Sequence, residues 1–356
     1  MRGFHACCVM LTQAFAWSTL PPRQGFRLQP VLEKRSGEGP GRNLLEYWAV
    51  GRGLDETQQQ FERMKPSSRF SLWIFAVTLA ALTATAADKK LVLIAGKPSH
   101  PPGMHEFRAG SLLLQKCLAG VPGLTLTVWS NGWPSDASAF QGADAVVIYS
   151  DGGAGHPAVQ ADHAKIIGDL IEKGVGFGVM HYACEVQKDK GGKEFQDWIG
   201  GYYEDHFSVN PIWDPEYKTF PKHPVTRGVK PFTAKDEWYF NIHFRDDTKE
   251  LTRILTATPS DAVRKGPYVW PKGPYDHIVA ASGREETMMW VCESGAKRGF
   301  GFTGGHFHTN WGNADFRKVI LNALLWVAKA EVPEGGVSSA VTDEELKLNL
   351  DPKGKK

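Results

Sequence analysis

The sequence predicts an α/β fold: a doubly wound, mostly parallel sheet flanked by helices. Three observations predict it. Short apolar runs alternate with amphipathic stretches over residues 90–185. The runs are almost continuously apolar, as in LVLIAG, which is typical of strands buried on both faces. Polar residues follow several runs directly, at the edge where open parallel sheets bind their ligands.

The first half of the domain supplies four strands. KLVLIAG at 90–96 is the first predicted strand, and HEFRAGSLLLQKCLAG after it has helical spacing. The second and third strands are LTLTVWSN and DAVVIYSDGG. The amphipathic stretch HAKIIGDLIEKG then leads into a fourth strand, GVGFGVM. Strands with mostly helical connections are what a doubly wound sheet requires.

The second half begins with an irregular stretch. Residues 186–235 are polar, aromatic and proline-containing, a composition typical of an active-site excursion. Four further strands are then predicted, at DEWYFNIHF, LTRILTAT, ETMMWVCES and GFGFTGG. NADFRKVILNALLWVAKA has apolar residues at helical intervals and closes the domain. We therefore expect one domain over 87–331 and a charged, flexible tail over 332–356.

Residues 64–86 have the composition and order of a secretory signal peptide. They combine a basic start, an apolar core over 72–82 and the small-residue site Ala-Thr-Ala. The apolar core is too short to span a bilayer comfortably, so a membrane anchor is only the alternative. Residues 1–63 are interpreted as a disordered extension or as sequence upstream of a true start at Met64. The mature protein is expected to begin near Ala87 and to be periplasmic or secreted, without a stable membrane anchor.

Composition narrows the class of partner. The chain has 356 residues, a net charge of +2 and 42% hydrophobic residues, which suits a globular protein with a sizeable core. Lys and Arg are scattered, so we expect no nucleic-acid partner. Outside residues 1–86 only Cys117, Cys184 and Cys292 remain, which is no disulfide framework. A small molecule is therefore the expected partner.

Polar side chains recur at the carboxyl ends of the predicted strands. They follow the first, third, fourth and last strands, and they are His100, His105, Glu106, Asp151, His181, Tyr182, His306 and His308. Imidazole suits proton transfer near neutral pH and binds metals. Each histidine taken alone could equally be a core-edge residue bonded to backbone. Their recurrence at equivalent positions favours a common site at this edge of the sheet.

A divalent metal such as zinc is compatible with these residues. In an extended chain the rings of His306 and His308 would point the same way and offer two ligands. His181 or His206 would have to supply the third. Trp213, Trp238 and Trp311 could instead form a stacking wall for a sugar ring, or they could simply cap a large core.

Several segments also carry a family resemblance. They are, in order, SHPPGMHEFRAG, GFGVMHYACE, GGYYEDHFSVNP, HPVTRGV, DEWYF and GGHFHTNWGNADFRKVILNALLW. Together they resemble the ThuA-like family, named for trehalose utilization, over roughly residues 89–330. The resemblance implies the fold of class I glutamine amidotransferases, a flavodoxin-like architecture. It also implies an association with carbohydrate breakdown.

The resemblance assigns places to individual residues. In the amidotransferases the strand equivalent to GVGFGVM ends in a nucleophilic cysteine on a tight strand-to-helix turn. Here that place is His181, so a glutamine amidotransferase is not expected. Cys184 lacks an elbow's flanking glycines and is expected to be dispensable, although a displaced nucleophile is conceivable. His206 and Glu237 match positions that the family also uses. Asp236 and Glu237 adjoin on a strand, so only one can serve.

These inferences lead to one favoured function and one alternative. The favoured function is an exported enzyme that acts on a sugar or an oxidised sugar by acid–base or metal-assisted chemistry. Its expected catalytic residues are His181, His206, Glu237 and His306. Its expected substrate-binding residues are His105, Glu106, Asp151, Tyr182, His308 and Trp311. The alternative is a non-catalytic carbohydrate-binding module on a degenerate amidotransferase fold.

Overall fold

A computed structural model describes residues 88–354 of the protein. The predicted extension over 1–63 and the predicted signal peptide over 64–86 lie outside the described residues. Among residues 88–354 no helix has the length and apolar character needed to cross a bilayer.

The described residues form thirteen strands and six α-helices. The strands are β1 (Lys89–Ala95), β2 (Leu124–Trp129), β3 (Ala145–Tyr149), β4 (Gly176–Met180), β5 (Gly201–Tyr202), β6 (Ile212–Trp213), β7 (Glu216–Tyr217), β8 (Phe232–Thr233), β9 (Asp236–Glu237), β10 (His243–Phe244), β11 (Leu251–Ala257), β12 (Glu286–Ser294) and β13 (Lys297–Phe302). The helices are α1 (Phe107–Leu118), α2 (His163–Glu172), α3 (Gly192–Ile199), α4 (Asp261–Lys265), α5 (Asp276–Val279) and α6 (Ala314–Val327).

One seven-stranded sheet organises the domain. Its strand order is β11-β12-β13-β4-β3-β1-β2. The five strands from β13 to β2 pair in parallel, and β12 is antiparallel to both β13 and β11. The four first strands run in the order 2-1-3-4, as in flavodoxin-like folds. The predicted fold class is therefore confirmed.

The two faces of the sheet explain its continuous apolar runs. Leu91 and Leu93 of β1 pack with residues of α1 and α6, whereas Val92 and Ile94 pack with residues of α2 and α3. Because neighbouring residues of a strand point to opposite faces, both must be apolar where helices cover both faces. Each such buried side chain contributes roughly 1.5–3 kcal/mol to the free energy of unfolding.

The sequence predicts one strand at DEWYFNIHF, but this segment does not form a strand of the central sheet. It divides into β9 and β10, which pair with the short strands β6 and β5 instead. Between them Asn241 has a left-handed backbone, with φ of 56°, and its side chain donates to the Phe207 carbonyl. Asn tolerates this conformation, which interrupts an extended chain.

The tail after α6 is packed against the domain, so the predicted flexible tail over 332–356 is wrong as far as residue 354. Val332 and Val337 are buried in the core. The Asn322 side chain accepts a hydrogen bond from the Val337 backbone, and Arg317 donates to the Ser339 carbonyl at 3.0 Å. The tail is charged overall, but its two valines, Val332 and Val337, pack into the core that also contains α6.

Candidate active site

Three imidazoles converge at the carboxyl edge of the sheet. His105 lies between β1 and α1, His181 follows β4 directly, and His306 follows β13. His105 Nε2 lies 3.0 Å from His181 Nε2 and 3.0 Å from His306 Nδ1. His306 Nδ1 lies 3.3 Å from His181 Nε2. All three side chains are buried. These distances confirm the expectation that the strand ends bring His181 and His306 together.

The backbone at these strand ends is unusual. His105 and His181 have φ values of 48° and 57°, in the left-handed region, and Gly305 has φ of 110°. A non-glycine residue with positive φ costs free energy and occurs often at functional sites. At His181 the chain passes from β4 directly into a 3₁₀ helix, His181–Cys184. The turn directs the histidine side chain towards the neighbouring strand ends.

Glu237 adds a carboxylate to the three imidazoles. Its Oε2 atom lies 2.7 Å from His306 Nδ1, and its Oε1 atom accepts a hydrogen bond from Asn210 at 2.9 Å. Burial raises the pKa of Glu237, and the contact with His306 acts in the opposite direction. We call His105, His181, Glu237 and His306 the histidine–glutamate cluster. Their ligand atoms all lie within 4.8 Å of one another.

The neighbouring Asp236 has a different task. Its buried carboxylate accepts hydrogen bonds from the backbone of Gly305 at 2.7 Å and of His306 at 3.0 Å, and from the Asn310 side chain at 3.0 Å. Asp236 therefore shapes the loop that carries His306, while Glu237 contacts the imidazoles. This division agrees with the expectation that only one of the two adjacent acids can serve in the site.

The outer ring nitrogens define the protonation of two histidines. His105 Nδ1 lies 2.8 Å from Asp151 Oδ1, and His181 Nδ1 lies 3.0 Å from the Thr303 carbonyl. A carbonyl and a carboxylate accept hydrogen bonds, so both Nδ1 atoms carry the proton in the neutral rings. Burial, reinforced by the neighbouring imidazoles, lowers the pKa of both His105 and His181. Two neutral rings therefore direct their Nε2 lone pairs at each other.

A cleft of about 260 Å³ opens onto the cluster. Of the cluster, His105 and Glu237 line the cleft, and its other lining residues include Tyr182, Asp205 and Trp270. The Trp270 side chain is 71% exposed. A larger cleft of about 590 Å³ lies elsewhere, beside Trp213, Glu216 and Ser260. No histidine lines it, so the smaller cleft is the candidate active site.

Glu185 lines the cleft, and its sequence pattern did not predict this position. It is the last residue of the segment GFGVMHYACE, one residue after Cys184. Burial, followed by repulsion from Asp205 and Glu237, raises the pKa of Glu185 to about 8. A carboxyl group that keeps its proton near neutral pH can act as a general acid. The only sequence signal was its place four residues after His181, within the turn that follows β4.

His206 does not join the cluster. Its side chain is 73% exposed, and Nε2 lies 3.5 Å from Asp205 Oδ2. Its Nδ1 atom lies 3.3 Å from the Tyr275 hydroxyl. The segment is close to the cleft as expected, but Asp205 lines the cleft in place of His206.

His308 is also separated from His306. The expectation that both rings point the same way requires an extended chain, but the chain enters a 3₁₀ helix, His308–Gly312. His308 is buried, and its backbone donates to the Gly103 carbonyl at 2.9 Å. It is absent from the cleft wall.

The three tryptophans considered for a stacking wall belong to the core instead, which was the alternative. Trp213, Trp238 and Trp311 are 7%, 0% and 0% exposed and belong to the apolar core. Their rings cannot stack on a sugar because other side chains already cover them. Trp270 is the tryptophan that the cleft exposes.

Glu106 anchors the loop of His105 from behind. It is 1% exposed, and its Oε2 atom accepts a hydrogen bond from the Asp351 backbone at 2.9 Å. Its Oε1 atom lies 3.2 Å from Lys353 Nζ. Lys353 also donates to the carbonyls of Met104 and His105. Glu106 is thus a partner of the packed tail and does not line the cleft.

Cys184 is not placed to act as a nucleophile. It is fully buried, and its thiol donates to the Phe302 carbonyl at 3.4 Å. Burial raises the pKa of the thiol far above its usual range. The thiolate, which is the reactive form, is therefore strongly disfavoured.

Comparisons with known proteins agree with this architecture. The family model ThuA, described as trehalose utilisation, matches residues 108–327. A comparison with curated proteins finds no match. A solved structure of a putative ThuA-like protein from Bacteroides uniformis is 17% identical, covers 69% of this chain and 94% of its own, and has a TM-score of 0.51.

A second solved structure, a putative ThuA-like protein from Parabacteroides merdae, is 16% identical. It covers 72% of this chain and 98% of its own, with a TM-score of 0.46. The family match spans more than half of the 356 residues and includes β2 to β4, β11 to β13 and α6. The chain therefore belongs to the ThuA family, whose description connects it with trehalose utilisation.

Proposed function

We propose that the protein is an exported enzyme of carbohydrate catabolism that acts on a sugar or keto sugar in the cleft above the histidine–glutamate cluster. The family description supports the substrate class. The order of residues 64–86 supports export.

One observation carries the catalytic part of the proposal. Titratable groups in opposite protonation states lie in the wall of the cleft and directly beneath it. Glu185 has a pKa of about 8 and therefore keeps its proton at neutral pH. His105 and His181 are neutral rings whose Nε2 lone pairs point towards each other. The protonated carboxyl group can donate a proton to a substrate, and the neutral imidazole nitrogens beside it can bind a metal ion or a polar group of the substrate. A module that only binds sugar has no need of such a pair.

The reaction class follows from these groups. A proton donor and a basic or metal-bound centre can together cleave a glycosidic bond, or shift a proton next to the carbonyl of a keto sugar. Glu185 would protonate the departing or enolising oxygen. The exposed ring of Trp270 offers an apolar face for a sugar ring. Tyr182 and Asp205 supply polar contacts for hydroxyl groups.

Turnover of sugars tests the proposal directly. We expect the purified protein to convert at least one member of a panel of disaccharides and their keto derivatives, with products identified by NMR spectroscopy. Cys184→Ser should retain this activity, because the thiol is buried and protonated. His181→Ala should lose it.

Two outcomes would contradict the proposal. Sugar binding without turnover would favour the non-catalytic carbohydrate-binding module. Loss of all turnover in a folded Cys184→Ser protein would favour cysteine chemistry of the amidotransferase kind.

Export has a separate test. Sequencing the amino terminus of the native protein should give a start near Ala87, since Ala-Thr-Ala ends the apolar segment. Recovery from the cytoplasm of an intact chain that begins at Met1 would rule out this part of the proposal.

A further inference from the structure

We propose that the histidine–glutamate cluster binds one divalent first-row transition ion, with Zn²⁺ as the default. The ligand atoms are His105 Nε2, His181 Nε2, His306 Nδ1 and Glu237 Oε2. This inference deepens the proposed function and rests on it for the chemical purpose of the ion. Binding itself can be measured without any substrate.

The protons of the cluster are the first argument. His105 and His181 each use their Nδ1–H for an outer acceptor, Asp151 and the Thr303 carbonyl. Their Nε2 atoms nevertheless approach to 3.0 Å. In the neutral rings neither atom has a proton to share, so the contact sets one lone pair against another. A cation between the lone pairs turns this repulsion into two bonds.

The proton of His306 does not resolve the problem. His306 Nδ1 lies 2.7 Å from Glu237 Oε2, which is the best acceptor in its reach. A proton given to that carboxylate is not available to the contact between His105 and His181. The Tyr239 hydroxyl, 3.4 Å from His181 Nε2, can donate to His181 but leaves His105 Nε2 without a proton. Protonating one ring instead would place an imidazolium in a site where all four side chains are buried, at a large desolvation cost.

The distances are those of a coordination shell. Metal–nitrogen bonds of about 2.1 Å place adjacent ligand atoms about 3.0 Å apart in an octahedral shell and about 3.4 Å apart in a tetrahedral one. The three nitrogen–nitrogen separations are 3.0, 3.0 and 3.3 Å. The shorter separations suit a shell of five or six ligands. Such a shell leaves room for a substrate oxygen on the side of the cleft.

The outer contacts also match a metal centre. A histidine that binds a metal usually donates its second N–H to a carboxylate or a backbone carbonyl, which fixes the ring. His105 does so with Asp151 and His181 with Thr303. Asn210 likewise holds the second oxygen of Glu237, so that this carboxylate offers one oxygen to the ion. These partners fix three of the four ligands before an ion arrives.

The donor set selects the kind of ion. Three imidazoles and one carboxylate suit zinc, iron, cobalt or nickel better than magnesium or calcium, which prefer oxygen ligands. The Cys184 thiol, which would favour softer ions, is engaged with the Phe302 carbonyl instead. Bound at the floor of the cleft, the ion would polarise a carbonyl or hydroxyl oxygen of the substrate as a Lewis acid.

A second group of residues offers an alternative position for the ion. His100, His105 and Asp151 also lie close enough to share a metal. That arrangement would take the Nδ1 atom of His105 for the ion and break its hydrogen bond to Asp151. Of its three ligands only His105 is buried. The two positions make different predictions for variants of His100 and His306.

Metal content and cobalt spectra test the inference. The full chain, freed of metal with a chelator, is dialysed against Zn²⁺ and analysed for bound metal. We expect one ion per chain in the wild type and in His100→Ala, and less than a tenth of that in His306→Ala and His181→Ala. Co²⁺ substitution should give visible absorption bands of a five- or six-coordinate ion in the wild type that His306→Ala lacks. Circular dichroism checks that each variant is folded.

Two conservative variants guard against loss by unfolding. Glu237→Gln keeps the shape of the ligand and should weaken zinc binding without unfolding the domain. Asp151→Asn replaces the carboxylate that accepts from His105 by a neutral amide and should weaken zinc affinity by about 10–100-fold.

Three results would overturn the inference: no stoichiometric ion in the wild type, equal zinc affinity in folded His306→Ala, or loss of the ion in His100→Ala. Failure of the proposed function would look different. A protein that binds one zinc ion but converts no sugar contradicts the enzyme and leaves the metal site intact. Sugar turnover that persists after complete metal removal contradicts the catalytic role of the ion and leaves the enzyme intact.

Discussion

Replacing Glu185 by glutamine is expected to lower kcat by about 10²–10⁴-fold, the range that a general acid contributes. Glutamine has nearly the same shape and, like the protonated acid, carries no charge, so the cleft should keep its form. It cannot release a proton to the substrate. The kcat/KM of the wild type should fall as pH rises through about 8, where Glu185 loses its proton, and the residual activity of the variant should lack this step.

The stability of the metal-free protein gives a readout of Glu185 that needs no substrate. The carboxyl pKa is about 8 in the folded chain, against an ordinary value of 4.5. Between these values the folded state holds a proton that the unfolded chain has released. The free energy of unfolding of the wild type should therefore decrease as pH rises from about 4.5 to about 8, relative to Glu185→Gln.

A matched control separates this effect from the loss of any carboxylate. Glu194 on α3 is exposed, so Glu194→Gln should change neither the pH–rate profile nor the pH dependence of stability. A folded Glu185→Gln protein with wild-type kcat at every pH would show that the proton donor is another group.

Replacing Asp236 by alanine is expected to reduce the free energy of unfolding by about 3–5 kcal/mol, because several buried donors lose a shared acceptor at roughly 1–3 kcal/mol each. The carboxylate accepts hydrogen bonds from the backbone of Gly305, His306 and Glu237 and from the Asn310 side chain. Without it these buried donors lose their partner, and each costs free energy. Urea unfolding at pH 7 measures the loss.

The control for Asp236 is an acid on the surface. Asp214 is exposed, and Asp214→Ala should change the free energy of unfolding by less than about 0.5 kcal/mol. A loss of under about 1 kcal/mol in Asp236→Ala would show that the loop carrying His306 holds its shape by other contacts. The position of His306 would then not depend on Asp236.

The sequence predicted the part of the site that the sheet determines. His105, His181 and His306 each follow a parallel strand, and parallel strands end at the same edge, so their convergence follows from topology. His206 and His308 are placed by irregular segments, where a left-handed residue or a 3₁₀ turn decides the direction of a side chain. No periodic pattern encodes such a turn, so both positions were beyond prediction.

Burial of aromatic residues was equally hard to predict from the sequence. Trp238 and Trp270 both occur in segments rich in aromatic residues, but one is fully buried and the other largely exposed. The difference arises because Trp238, directly after β9, packs in the core beside α6, while Trp270 lies among glycines and prolines in GPYVWPKGPY. That composition was a usable signal of a loop. The role of Glu185 depends on its neighbours Asp205 and Glu237, which are distant in sequence.

The contact between Lys353 and residues 104–106 has a consequence for when the site can be completed. His105 and Lys353 are 248 residues apart in the chain, and the ribosome makes His105 first. At about 5–20 residues per second, roughly 12–50 seconds separate the synthesis of the two. During that interval the loop of His105 lacks the lysine that holds its carbonyls and the Glu106 carboxylate. The growing chain can therefore assemble its sheet before all the residues of the site are held in place. The site should be able to bind its ligands only after the whole domain has been translated.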